Sequence, residues 1–80
     1  MNDFKKTIDR IDFNFKFIRE GADEVFMVTY DNQSFRMITD QDGVWGIWQQ
    51  VPGWIKGMEE SLASAIEENI IKANFIFKSF

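Results

Sequence analysis

Residues 44–70, VWGIWQQVPGWIKGMEESLASAIEENI, contain a change of hydrophobic period at Pro52. Upstream of this proline apolar and polar residues alternate, most clearly in residues 11–17 (IDFNFKF), which is typical of a half-buried β-strand. Downstream, apolar residues recur every four positions, the spacing of one face of a helix: Trp54, Met58, Leu62, Ile66 and Ile70. The sequence therefore predicts an α+β fold in which an antiparallel sheet is packed by one C-terminal helix.

The part of the chain before Pro52 divides into four predicted strands. They are rich in β-branched and aromatic residues and comprise residues 11–19, 25–30, 34–39 and 44–50. Turn-forming sequences separate them: Glu20-Gly21-Ala22-Asp23, Asp31-Asn32 and Asp40-Gln41-Asp42-Gly43. In the last of these, Gly43 is expected to take the left-handed position. Because every connection is short, we expect a four-stranded up-and-down meander over residues 11–50, with neighbouring strands paired.

The N-terminal segment, residues 2–10, leaves two alternatives open. Phe4, Ile8 and Ile11 have helical spacing, so the segment is either a short helix or an irregular lead-in to the first strand.

The C-terminal helix is predicted to start at Pro52, in its first turn, and to end near Ala73. An extended tail over residues 75–80 would follow. The alternative is a helix that ends near Asn69 and is followed by an extra strand. Gly57 inside the helix costs roughly 1 kcal/mol relative to Ala, which indicates either close packing or a nearby ligand; of the two we expect close packing on the sheet.

Length and composition limit the classes of site. Eighty residues make one domain, residues 1–80, in which 45% hydrophobic and 16% aromatic residues supply a core. The chain has no Cys, which excludes disulfides and thiolate metal sites, and no His, the commonest metal ligand and general base. We therefore expect no metal and no cofactor.

The charge distribution disfavours polyanionic partners. Thirteen acidic residues against nine basic ones give a net charge of −4, and no basic run exceeds two residues. Nucleic-acid binding requires a basic stripe, and an anionic membrane surface is disfavoured for the same reason. No apolar stretch approaches the ~18 residues of a membrane span, and the N-terminus lacks an apolar leader segment. These observations predict an acidic, cytoplasmic protein.

Carboxylates are the remaining candidates for catalysis. Asp40-x-Asp42-Gly43 resembles part of a calcium loop, but Gln49 stands where the bidentate Glu would be, so a hairpin turn is expected. Adjacent acids on one surface do not separate their pKa values as acid–base catalysis requires. We expect no catalytic residues. A carboxylate-only enzyme would need Asp40 or Asp42 to face Glu20 or Asp23 across a cleft.

The chain has more aromatic residues than one core requires. Apolar residues occupy both faces of the predicted sheet, and more follow at the C-terminus. The C-terminal residues either fold back over the second face of the sheet or contact another chain. We expect a non-enzymatic protein-interaction module that forms a homodimer or binds another protein. Its candidate partner-binding residues are Trp45, Trp48, Phe75, Phe77 and Phe80. Trp54 is expected to attach the helix to the sheet. The alternative is a small-molecule or carbohydrate-binding domain that uses exposed Trp and Phe.

Residues 48–69 carry a family resemblance. Pro52-x-Trp54-Ile55 at the start of the helix and Leu62-x-x-Ala65-Ile66-Glu67-Glu68 toward its end resemble small bacterial proteins of unknown function. The resemblance implies a bacterial source and a β-meander followed by a helix. It implies no catalytic or binding residue.

Overall fold

A computed structural model describes the backbone of residues 3–78 and the side chains of residues 3–70. Five strands are followed by two helices: β1 Phe4–Ile8, β2 Ile11–Glu20, β3 Asp23–Tyr30, β4 Gln33–Thr39, β5 Trp45–Ile47, α1 Gly53–Lys56 and α2 Glu59–Lys78. The strands form one antiparallel sheet in the order β1-β2-β3-β4-β5. The sheet is curled into a half-barrel, and α2 contacts both of its edge strands, β1 and β5. The predicted α+β meander with a C-terminal helix is confirmed, with one strand more than expected.

The additional strand is β1. Both alternatives for the N-terminal segment, a short helix and an irregular lead-in, are therefore wrong. A spacing of four residues keeps Phe4 and Ile8 on one face of a strand as well as of a helix, so the pattern was ambiguous. The β1–β2 hairpin turns at Asp9 (φ 52°) and Arg10 (φ 66°), where two successive positive φ values fit a type I′ turn. Phe4 then stacks on Phe15, with ring centroids 4.4 Å apart.

The three predicted turns are confirmed. Asp31 and Asn32 have φ values of 44° and 64°, and Gly21 has a φ of 62°. Gly43 has a φ of 79°, and its N–H donates to the carbonyl oxygen of Asp40 at 3.1 Å. Because these turns are short, they determine which residues face each other across the sheet.

The core fills the concave face of the half-barrel. The sheet contributes every second residue: Phe13, Phe15, Phe26, Val28, Tyr30, Phe35, Met37, Trp45 and Ile47. The helices contribute Ile55, Leu62, Ala65 and Ile66, and the turn between the helices contributes Met58. At the β1 edge, the ammonium of Lys6 lies 3.7 Å from the carboxylate of Glu68 in α2. Burial of many aromatic side chains contributes the hydrophobic stabilisation that a small chain without cysteine requires.

The C-terminal part of the chain forms two helices, α1 and α2, where the sequence predicted one. Pro52 is the residue before α1 and not part of its first turn. After Lys56 the chain makes a tighter turn, in which the N–H of Met58 donates to the carbonyl oxygen of Ile55 at 2.9 Å. A Cβ at Gly57 would lie 3.6 Å from its nearest neighbours, which is ordinary contact. The predicted close packing at Gly57 is therefore wrong.

The helix α2 continues to Lys78. The predicted end near Ala73, the extended tail and the alternative extra strand are wrong over residues 73–78, because this backbone is helical. A later end keeps Glu67 and Glu68 away from the negative C-terminal end of the helix dipole. Phe80 lies outside the described residues.

Candidate functional site

The convex face of the sheet, opposite α2, has an apolar centre. Residues on this face alternate with the core residues along each strand. The pairing register places Ile18 beside Val25, and Val25 beside Ile38. We call these three residues the apolar row. Val25 is only 1% exposed although no helix covers it, whereas Ile18 and Ile38 are half-buried.

A second row runs parallel to the apolar row on one side. Lys16 pairs with Met27, and Met27 pairs with Arg36. Trp48 extends the row, since its N–H donates to the carbonyl oxygen of Arg36 at 3.2 Å. We call Lys16, Met27, Arg36 and Trp48 the basic row.

A third row lies on the other side and is acidic. Glu20 pairs with Asp23, and the β3–β4 register, continued by two residues, brings Asp23 beside Asp40. The N–H of Asp40 donates to the carbonyl oxygen of Val44 at 3.0 Å, which places Val44 at the end of the row. We call Glu20, Asp23, Asp40 and Val44 the acidic row.

An ion pair connects the two charged rows across the apolar row. Arg36 in β4 contacts the carboxylate of Glu20 in β2. The line between these residues crosses β3 at Val25, which accounts for the burial of Val25 on an otherwise open face. The pair is itself half-exposed, so its own contribution to stability is roughly 0–1 kcal/mol.

Trp48 is held in an exposed position. The side chain of Gln49 continues the ladder beyond β5: its Oε1 accepts from the N–H of Arg36 at 3.0 Å, and its Nε2 donates to the carbonyl oxygen of Ser34 at 3.5 Å. The indole Nε1 lies 3.9 Å from the position that a Cβ would take at Gly46. Trp48 is nevertheless 61% exposed, and Val44 is 54% exposed.

Two grooves border Trp48. The larger, of about 790 Å³, lies between β5 and α2 and is lined by Trp48, Lys56, Glu59 and Glu67 among others. Within it, Oε2 of Glu59 accepts from the N–H of Ile47 at 2.7 Å and from the ammonium of Lys56 at 3.0 Å. The bond from Ile47 lowers the pKa of Glu59, against the opposing effect of burial, and Lys56 lowers it further.

The second groove, of about 650 Å³, is lined by Asp23, Thr39, Asp40, Gln41, Asp42 and Trp48. Three of the carboxylates named for a carboxylate-only enzyme thus lie together, and Glu20 lies beside them, paired with Arg36. All four residues are exposed. The Oδ1 of Asp40 accepts from the N–H groups of Asp42 and Val44 at 2.8 and 3.0 Å, which gives it a role in the turn. Among the residues that the structure describes, no three acidic side chains form a group that could hold a metal ion.

The predicted contact residues occupy different environments. Trp45 is 5% exposed and packs edge-on against Phe26 at 5.3 Å, so it is a core residue and not a surface contact. Trp48 is on the surface. Phe75 and Phe77 belong to α2, and their side chains fall outside the described part of the chain, as does all of Phe80.

Trp54 behaves as expected. It lies edge-on to Tyr30, with centroids 5.4 Å apart, and so connects α1 to β3. It is 51% exposed, but on the core side of the sheet, away from Trp48.

Sequence reasoning recognised apolar residues on both sheet faces but missed the three rows. The signal that could have found them is turn length. The two-residue turn at Gly21-Ala22 sets Glu20 opposite Asp23, and counting back along the two strands then sets Ile18 opposite Val25 and Lys16 opposite Met27.

Comparisons of the chain with protein families, curated proteins and solved structures found no match. Within the described residues, no helix is both long and apolar enough to cross a membrane.

Proposed function

We propose that this chain is a non-enzymatic protein-interaction module whose contact surface is the convex face made by the apolar, basic and acidic rows. The observation that carries the proposal is Trp48, which is 61% exposed. A backbone hydrogen bond and the two bonds of the Gln49 side chain fix the chain around it. Tryptophan is enriched at the energetic centres of protein interfaces, and fixed positions lose little entropy on binding.

The surroundings of Trp48 support the same function. Protein interfaces combine an apolar centre with a polar rim that sets specificity. Here the apolar row lies between rows that carry Lys16 and Arg36 on one side and Glu20, Asp23 and Asp40 on the other.

Site-specific photo-crosslinking tests the proposal. A benzophenone amino acid replaces Trp48 in one variant and Trp54, the other half-exposed tryptophan, in the matched control. In cells that make the protein, we expect position 48 to form protein crosslinks and position 54 to form few. The crosslinks at position 48 should disappear when Ile38→Asp is added, since this change places a charge in the apolar row.

Equal crosslinking at the two positions, or none at position 48 in a folded variant, would contradict the proposal. Circular dichroism establishes that each variant is folded.

A second function, carbohydrate binding, is favoured by the groove beside Trp48. An exposed indole stands there next to the amide of Gln41 and the carboxylates of Asp23 and Asp42, and such groups hydrogen-bond sugar hydroxyls. Binding would shift the fluorescence of the wild-type chain but not that of Trp48→Phe. If no member of a glycan panel produces a shift, this function is rejected.

A further inference from the structure

We infer that the partner of this surface is a second copy of the chain, packed convex face to convex face about a two-fold axis that follows the apolar row. The inference rests on the proposed function and adds the identity and orientation of the partner. It is drawn from the order of the three rows, which makes the surface complementary to itself.

A two-fold axis along the apolar row has a defined effect on the other rows. Rotation by 180° about it keeps each position along the row and exchanges the two sides. Ile18 and Ile38 therefore meet the same residues of the second copy, and the Arg36–Glu20 pairs that cover Val25 lie between them. The basic row of each copy meets the acidic row of the other. Contacts of this reciprocal kind define an isologous dimer.

The charged positions match strand by strand. In β2, Lys16 lies opposite the partner's Glu20. Arg36 in β4 lies opposite the partner's Asp40, the residue that follows β4. Each contact occurs twice because of the symmetry. Glu20 and Arg36 also contact each other within each chain, so the contacts across the axis extend that ion pair into a network. Four opposite-charge contacts of this kind favour one orientation and disfavour the arrangement in which like rows meet.

The most exposed apolar residues of this face match as well. Trp48 ends the basic row and Val44 ends the acidic row, both beside β5. The axis therefore places Trp48 opposite the partner's Val44, so that both are covered at the same time. Within the described chain no other element covers these side chains: Trp48 is 61% exposed and Val44 is 54% exposed.

The edges of the sheet are less suited to self-association than its face. The outward N–H of Ile47 in β5 is occupied by Glu59, and that of Phe17 in β2, beyond the end of β1, is occupied by Oδ1 of Asp3 at 2.8 Å. The two edge strands are also short, and β1 carries Lys5 and Lys6. Short, charged and occupied edges oppose strand-to-strand pairing between chains.

A charge exchange in β2 tests the inference, because Lys16 and Glu20 are too far apart to interact within one chain. Four residues of extended strand separate them by roughly 13 Å, with Ile18 between. The single variants Lys16→Glu and Glu20→Lys create like-charge contacts between copies. The double variant restores opposite charges only if the two positions meet across the interface.

The measurement is sedimentation equilibrium of the full chain over a hundredfold range of concentration. We expect the wild-type chain to show twice the 9.4 kDa mass of one chain. Each single reversal should raise the dissociation constant at least about 10-fold, equivalent to ~1.4 kcal/mol. The double variant should return it to within about 3-fold of the value for Glu20→Gln, which, like the double variant, has lost the Glu20–Arg36 ion pair within the chain. Lys5→Glu, which makes the same change in net charge as Lys16→Glu but lies outside the three rows, should leave the dissociation constant nearly unchanged.

Three results would overturn the inference: a monomer at every concentration, a dimer insensitive to the single reversals, or a double variant no better than the worse single one. The crosslinking experiment separates this failure from failure of the proposed function. If position 48 forms crosslinks only to other proteins, the proposed interaction function is supported and self-association is rejected. If it forms no crosslinks, both proposals are rejected.

Discussion

The Glu59 carboxylate in α2 accepts a hydrogen bond from the backbone N–H of Ile47 in β5 at 2.7 Å. The N–H of Ile47 points away from β4, because the neighbouring residues Gly46 and Trp48 use their backbone groups to pair with β4. One side chain therefore attaches the helix to the sheet and also occupies a donor on the sheet edge. A Cβ at Gly46 would lie 3.3 Å from the same carboxylate, so glycine leaves room for this contact.

Replacement of Glu59 by alanine should destabilise the fold by about 1–2 kcal/mol at neutral pH, since a charge-assisted hydrogen bond and the ion pair with Lys56 are lost. Urea denaturation measures the difference. Glu60→Ala removes the same charge from the same helical turn and should cost less than half as much. Equal losses would mean that the effect comes from the helix dipole.

The contribution of Glu59 should depend on pH. The N–H of Ile47 and then Lys56 hold the pKa of Glu59 in the folded chain below its ordinary value of 4.5. A group with a lowered folded-state pKa adds stability that is complete above the unfolded-state value and is lost as the pH falls through the folded-state value. The stability difference between wild type and Glu59→Gln should therefore be constant near neutrality and shrink below about pH 4.5. A difference that grows on acidification would contradict this.

Two glycines should respond to alanine in opposite directions. Gly57 has a φ of −66° and room for a Cβ, so Gly57→Ala should stabilise the chain by about 0.4–1 kcal/mol by restricting the unfolded state. Gly43 also has open space around it but has a φ of 79°, and Gly43→Ala should cost roughly 1–2 kcal/mol. Thermal denaturation of both variants isolates the backbone effect, because neither substitution meets a steric obstacle. Stabilisation by both would show that the turn at Gly43 tolerates alanine.

Arg10 should be replaceable by glycine with a gain in stability. Its φ of 66° is unfavourable for a residue with a Cβ, and the position is exposed. We expect Arg10→Gly to raise the free energy of unfolding by several tenths of a kcal/mol, as expected for a type I′ turn that gains its preferred residue. Arg10→Ala removes the same charge but keeps the Cβ, so it should bring no gain. Equal effects of the two variants would assign the change to charge.

The three tryptophans should differ in their access to a fluorescence quencher. Trp45 is 5% exposed, whereas Trp48 and Trp54 are more than half exposed. Acrylamide quenching at low protein concentration should find a smaller accessible fraction of the emission in Trp48→Phe and in Trp54→Phe, and a larger one in Trp45→Phe. An increase in Trp48→Phe would show that Trp48 is covered within a single chain.

The sequence predicts the elements that depend on local chemistry. The turns at Asp31-Asn32 and at Gly43 follow from residues that tolerate positive φ, and the sheet and helix follow from hydrophobic period. The turn at Asp9-Arg10 escaped prediction because arginine has no preference for positive φ. In this case the pairing of Phe4 with Phe15 favours the hairpin over the local preference of Arg10.

The candidate surface was predictable in composition but not in arrangement. The alternation within each strand shows that Val25 in β3 and Ile38 in β4 point away from the core. Only the pairing register between the two strands places them side by side. Trp45 and Trp48 look equivalent in sequence, because both fall in the strand predicted over residues 44–50. Odd spacing in a strand places side chains on opposite faces, which is why one lies in the core and the other on the surface.

The strand order β1-β2-β3-β4-β5 repeats the order of the chain, so each pairing can form as soon as the next segment has been synthesised. Contacts between neighbours in sequence are associated with rapid folding. The cover of the concave face comes last, because Leu62 and Ile66 follow all five strands. A chain shortened before α2 would therefore expose the whole aromatic face of the sheet, and exposed apolar surface of this kind makes a chain prone to aggregate.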